Sequence, residues 1–258
     1  YKEIELNYIN TRYIRVKRMN SNIIENIPLE EYIVGVLAGE MPIDFELEAL
    51  KAQAVASRSY ALKKMEYNIN NDYDVVDSIM NQVYLDTDYL KEAWGSSYIK
   101  NINKLRKAVS ETIDEYLEYN GQIVDAMFFS TSNGYTEDSI NVFGFECEYL
   151  KSTESPWDED VSSAFLTTKN ISLTEFYQKL EIPYNKNLNI KIEKRSSTNR
   201  ILLLKINDQE FKGTDVYSKL ALRSTDFSIE LLGDSVKITT KGYGHGVGMS
   251  QYGALGMA

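Results

Sequence analysis

Four glycines at every second position, Gly242, Gly244, Gly246 and Gly248, constrain this chain more than any other feature. If extended, that segment has one face without side chains, so another backbone or a ligand can approach it closely. The opposite face would display Tyr243, His245, Val247 and Met249. A fold that keeps such a strip must bring something against it. The 258 residues suffice for one large domain or two small ones, with a core that needs no covalent staples. Cys147 is the only cysteine, so no intramolecular disulfide can form. The 19 tyrosines are an excess that suits protein interfaces and sugar rings alike. A net charge of -10 argues against nucleic acid as a partner, because phosphate binding needs a basic surface. No run approaches the length of an apolar membrane span. The chain begins at Tyr1 rather than Met, which leads us to expect that an upstream signal or anchor has been removed.

Residues 1–18 alternate apolar and polar at Ile4, Leu6 and Tyr8, then at Tyr13, Ile14 and Val16, which predicts one or two strands. From Pro28, the spacing of Leu29, Ile33, Val36 and Leu37 predicts a helix. Pro42 disfavours helical backbone at Met41, so this helix should stop near Glu40. A longer helix is predicted over 44–67, burying Leu47, Leu50, Ala54, Ala61 and Met65, with Lys51, Val55, Arg58 and Leu62 as a neighbouring stripe. Loop follows to Tyr84, then helix over 101–113, then a hairpin over 115–129 turning at Asn120-Gly121. Residues 130–160 read as loop. A helix at 173–180, strands at 188–194 and 201–206, and a short helix near 215–222 suggest a small α/β insertion. Two further strands span 229–240 across a Gly233-Asp234 turn. The fold class is α+β, with helices and antiparallel strands around a substrate cleft and an inserted α/β subdomain at 161–224. Residues 1–160 and 225–258 form the main domain, with the cleft between the Glu40 helices and the glycine-rich tail.

Glu40 is the leading chemical candidate. A solvated glutamate at a helix end is the commoner case in general. Here the negative end of the helix dipole and the apolar neighbours Val36, Leu37 and Met41 both favour the protonated carboxyl, as a general acid requires. Lys51 and Arg58, if close, would pull the other way; facing a glycan they could hydrogen-bond sugar hydroxyls, acetamido carbonyls or a carboxylate. His245, the only histidine, stays open between a structural and a chemical role. One His and one Cys cannot assemble the common zinc sites. Gly248-Met-Ser250-Gln-Tyr252 fails the nucleophile-elbow pattern at its last position, and Met249 breaks the dinucleotide fingerprint. Asp158, Glu159 and Asp160 read as a solvated acidic run, and Cys147 as a bystander.

Ala38-Gly-Glu40-Met-Pro42 with Glu48-Ala-Leu-Lys51-Ala-Gln-Ala-Val-Ala-Ser-Arg58-Ser-Tyr60 closely resembles the stage II sporulation protein D (SpoIID)/LytB family. So does Gly242-Tyr-Gly-His-Gly-Val-Gly-Met-Ser-Gln-Tyr-Gly253, and Phe129–Tyr135, Tyr149-Leu-Lys151-Ser and Leu222–Phe227 look familial too. The resemblance implies a peptidoglycan lytic transglycosylase that needs no cofactor and acts in engulfment of the forespore. Such an enzyme cleaves between N-acetylmuramic acid and N-acetylglucosamine and leaves a 1,6-anhydro end, preferring strands stripped of stem peptides by a partner amidase (SpoIIP). It also implies a location outside the cytoplasm, between mother cell and forespore, in a membrane-anchored complex. By position, Glu40 is the catalytic acid. Lys51, Arg58, Tyr119, Tyr149 and Lys151 match substrate-binding residues, and His245, Ser250 and Gln251 of the tail are assigned to substrate as well. The chemistry fits one acid: the substrate's own C6 hydroxyl attacks, so the second carboxylate of ordinary glycosidases is not required. Some relatives hold zinc where this chain has Val76, Met80 and Asn81, so no metal is expected, and many have histidine at Phe129. Relatives usually continue past Ala258, which suggests truncation. The rival from another class is a non-catalytic wall-binding amidase enhancer; a Ser250–His245 hydrolase comes third.

Overall fold

The structure, a computed structural model, describes residues 2–6 and 12–258. The chain divides into two compact units, one built from the residues up to 127 with 257–258, the other from 128–256. The fold is of the mixed α+β class, with several small sheets.

In the first unit, β1 (Tyr13–Lys17) pairs antiparallel with β2 (Ile24–Pro28). The predicted alternation holds on β1: Ile14 and Val16 are fully buried while Tyr13 is exposed. Ile4 and Leu6 carry no strand, and Tyr8 lies outside the described residues. Helix α1 (Leu29–Glu40) follows directly. It ends where Pro42 requires, since Met41 is extended (φ -123, ψ 137). Helix α2 (Leu47–Tyr67) starts three residues later than the pattern suggested. Leu47 and Met65 are only half-buried, and the burial is not a stripe: Gln53, Ser57, Arg58 and Ser59 are enclosed along with Ala54, Ala61 and Leu62. The reason is that α2 packs against α1 on one side and a later helix on another, so polar positions are covered too. The two-residue strand β3 (Val75–Val76) adds parallel to β1. Then come α3 (Thr87–Trp94), which the sequence pattern did not reveal, and α4 (Tyr98–Ser110). The hairpin is present but short, β4 (Glu118–Tyr119) and β5 (Gln122–Ile123). Both turn residues take positive φ, 51° at Asn120 and 76° at Gly121, as a tight primed turn demands.

In the second unit, residues 130–160 are more ordered than their polarity suggested. They contribute β6 (Phe128–Phe129), β7 (Gly134–Tyr135), α5 (Ser139–Phe143), β8 (Glu154–Ser155) and α6 (Asp158–Val161). Asp158 corrects the reading of a solvated run. It is fully buried and accepts from the Ser132 N–H at 2.7 Å, from Ser155 Oγ at 2.8 Å and from Ser250 Oγ. Next are β9 (Leu166–Ser172), α7 (Leu173–Leu180), β10 (Ile190–Arg195), β11 (Ile201–Ile206), β12 (Gln209–Lys212), α8 (Gly213–Lys219), β13 (Phe227–Leu232) and β14 (Ser235–Lys241). They form two antiparallel sheets, β10-β11-β12 and β13-β14-β9. One core joins them, running from Ile171, Phe176 and Leu204 to Phe227, Val236 and Ile238. The stretch 161–224 therefore does not close a core of its own, because strands beyond it supply the other wall.

The glycine-rich tail is not an extended strand. Gly242, Gly244, Gly246 and Gly248 all have φ between 82° and 110°, a region closed to most side chains. Close approach is real as well: a Cβ on Gly242 would meet the Thr131 carbonyl oxygen at 2.9 Å, and one on Gly246 the Arg200 guanidinium. The tail ends in β15 (Met249–Ser250), parallel to β6, and helix α9 (Gln251–Met257).

Candidate active site around Glu40

Glu40 is the last residue of α1 and is half-buried. Gly35 and Gly39, four residues apart, share one face of that helix. Across this face runs the segment 82–85. A Cβ on Gly35 would lie 2.3 Å from the Tyr84 ring and 2.6 Å from the Leu85 carbonyl oxygen; one on Gly39 would lie 2.6 Å from the Val83 carbonyl oxygen. Because both positions lack side chains, the segment lies close enough for the Val83 N–H to donate to Glu40 Oε1 at 2.7 Å.

The segment is anchored by amide side chains. Asn81 accepts from the Val76 N–H at 2.9 Å and donates to Tyr60 Oη at 3.0 Å. Fully buried Gln82 donates to the Ser57 carbonyl at 3.3 Å and accepts from Tyr32 Oη at 3.2 Å, and Tyr32 stacks on Tyr84. Burial pushes the Glu40 carboxyl above the ordinary glutamate range, and the Val83 N–H opposes this only in part. The group is thus biased toward holding a proton, with one oxygen fixed in direction.

The cations expected to compete for Glu40 are engaged elsewhere. Lys51 Nζ lies 2.6 Å from Glu111 and 2.8 Å from Glu48, and these two contacts raise its pKa, Glu111 the more strongly. Arg58 corrects the expectation of a group facing a sugar: it is 1 % exposed, in the interior. It pairs with Glu30 at 2.6 Å and donates to the Glu115 carbonyl at 3.0 Å, so its donors are used to join α2, α1 and the residues after α4. Tyr119, on β4, is exposed.

In the second unit, Tyr149 and Lys151 are exposed, and Lys151 pairs with Glu146 at 2.5 Å. Ser250 and Gln251 are buried. Ser250 Oγ donates to Asp158 and accepts the Ser132 and Gly253 N–H groups, each at 3.2 Å, so it closes a loop rather than opening to solvent. His245 Nδ1 accepts the Val247 N–H at 3.1 Å, and its ring sits between Phe129 and Phe143. Burial lowers its pKa, keeping the imidazole neutral. No hydrogen bond joins His245 to Ser250 among the described residues. No group of three His, Cys, Asp or Glu side chains that could hold a metal occurs among the described residues. Nor is any described helix long and apolar enough to cross a membrane. Sequence reasoning gave Asn81 and Gln82 no anchoring role; the two glycines of α1 were the available signal that a backbone crosses there.

A helix-end glutamate, half-buried and held by a backbone donor, defines this as a protein with a candidate acid–base carboxyl on a helical scaffold. A family profile described as stage II sporulation protein matches residues 17–119. The chain is 43% identical over 250 residues to stage II sporulation protein D of Bacillus amyloliquefaciens, covering 95% of this chain and 72% of that one. The Bacillus subtilis (strain 168) protein of the same name is also 43% identical, covering 95% and 73%. An amidase enhancer of Bacillus subtilis (strain 168) is 30% identical over 87% of this chain and 37% of its own length. The chain belongs to the stage II sporulation protein D family.

Proposed function

We propose that this protein is a peptidoglycan lytic transglycosylase that cleaves the MurNAc–GlcNAc bond, with Glu40 as the single acid and base. The observation that carries this reading is the Glu40 carboxyl itself, raised in pKa by burial and aimed by the Val83 N–H. A protonated carboxyl donates to the glycosidic oxygen as the C1–O bond breaks. The resulting carboxylate then takes the proton from the C6 hydroxyl as its oxygen closes on C1, giving the 1,6-anhydro end. No water is added and no second carboxylate is used. Lys51 and Tyr119 are proposed to contact glycan in the Glu40 unit, and Tyr149 and Lys151 in the other; Arg58 acts indirectly, by fixing α1 against α2.

Membership of a sporulation family supports action in wall remodelling outside the cytoplasm, during engulfment, beside an amidase partner such as SpoIIP in a membrane-anchored complex. The similarity to an amidase enhancer favours one second reading, a non-catalytic wall-binding module. Digestion of peptide-free and peptide-bearing glycan strands, read by mass spectrometry, separates the two. Anhydro ends that form with this protein and disappear in Glu40→Gln are the expected result. Wall binding with no anhydro product sinks the enzymatic reading.

A further inference from the structure

The second unit contains a cavity of about 640 Å³, and every residue lining it belongs to that unit. Ile140, Phe143, Leu202 and Tyr217 give it apolar and aromatic walls. Two lysines line it as well, Lys194 on β10 and Lys212 on β12. Both are exposed, and neither forms an ion pair among the described residues. Strand register explains why they act together. Lys194 and Lys212 each pair with Leu203, one on either side of β11. The β10 pairing is bulged at Lys194, yet both lysines line the same cavity, and two strand spacings separate them by roughly 10 Å. Two flexible four-carbon stems can close that gap on a single anion.

Among the described residues, the one carboxylate lining the cavity is Glu137, and it is satisfied internally. It is 1% exposed and accepts from Ser196 Oγ at 2.5 Å, Asn141 at 2.9 Å and Thr198, with Arg200 at 3.8 Å. Arg200, equally buried, donates to Thr198 Oγ1 and the Tyr135 carbonyl, while its Nε has no partner. On a chain of net charge -10, a cavity lined by three cations and one compensated carboxylate is a local exception.

We propose that this cavity is a second binding site, for a small amphipathic carboxylate: a sugar ring or short peptide whose body rests on Phe143 and Tyr217 while Lys194 and Lys212 hold its carboxylate. The site is independent of the role assigned to Glu40. Because His245 is the only histidine and lines the cavity, its ring gives one unambiguous nuclear magnetic resonance signal. The test titrates the isotope-labelled protein with N-acetylmuramic acid, with N-acetylglucosamine and with acetyl-alanyl-alanine, following the His245 ring and the Leu203 amide. Saturable shifts with at least one of the two carboxylate probes, about tenfold weaker with the neutral sugar, are expected. Which carboxylate probe binds tells whether the source is glycan or peptide. Lys194→Ala with Lys212→Ala, both at exposed positions, should weaken that binding by about tenfold with the rest of the spectrum unchanged. The proposal is overturned by absence of saturable shifts with both carboxylates, by equal affinity for N-acetylglucosamine, or by undiminished binding in the double variant.

Discussion

Glu40 ionises at a cost because burial outweighs the Val83 N–H that favours its charge. A carboxyl whose folded pKa lies above its unfolded value binds its proton more tightly when folded, so ionisation reduces stability, and the loss grows as pH rises above the unfolded value. Glu40→Gln keeps an oxygen for Val83 and removes the charge. At pH 7 its melting temperature should equal or exceed that of the parent protein, and the advantage should vanish near pH 4, as scanning calorimetry across that range will show. Activity should fall by about 100- to 10,000-fold, the usual contribution of a positioned acid. The parent's activity should decline as pH rises through the raised pKa of Glu40. Arg58 belongs to a different class of residue. Removing one member of a buried pair strands the other charge, so Arg58→Ala should cost about 3–5 kcal/mol in urea denaturation. Arg58→Met combined with Glu30→Met should recover much of this. Unchanged stability in Arg58→Ala would contradict the interior role.

At the scale of elements, α1 and the 82–85 segment work as a pair. The glycines at 35 and 39 set how near the segment can come, and the segment donates the Val83 N–H to the Glu40 carboxyl. Gly39→Ala places a methyl 2.6 Å from the Val83 carbonyl oxygen, so backbone must move. Overpacking of this kind costs about 1–3 kcal/mol. Activity on peptide-free glycan should fall more than stability does, because the Val83 N–H shifts off Glu40. Equal activity in Gly39→Ala would show that this hydrogen bond does not position the acid.

At the scale of the whole molecule, a net charge of -10 opposes the approach of polyanions. At about 0.15 M salt, the protein at about 10 μM should not retard duplex DNA in a gel, because non-specific affinity depends on neutralising phosphates. The short-range signals in the sequence were legible: Pro42 ended α1 at Glu40, and Asn120-Gly121 turned the hairpin. These features depend on a residue and its immediate neighbours. Helix α3 was not legible, and neither was the order within 130–160, where Asp158 gathers donors from residues 132, 155 and 250. Such contacts join residues far apart in sequence, and no local pattern announces them. The same limit hid how the core within 161–224 is closed, by Phe227 of β13 and Val236 and Ile238 of β14.

By itself the sequence determined the α+β composition, the end of α1, the turn of the hairpin and the motifs of the family. Tertiary structure alone decided which charged groups are buried. Glu40, Arg58 and Asp158 are equally polar in one dimension, yet Glu40 is half-buried beside the Val83 N–H, Arg58 is enclosed with Glu30, and Asp158 is enclosed with donors from Ser132, Ser155 and Ser250. The physical reason is that desolvation and hydrogen-bond partners are properties of the packed neighbourhood, set by residues distant in sequence, and they fix whether a charged side chain does chemistry or holds the fold.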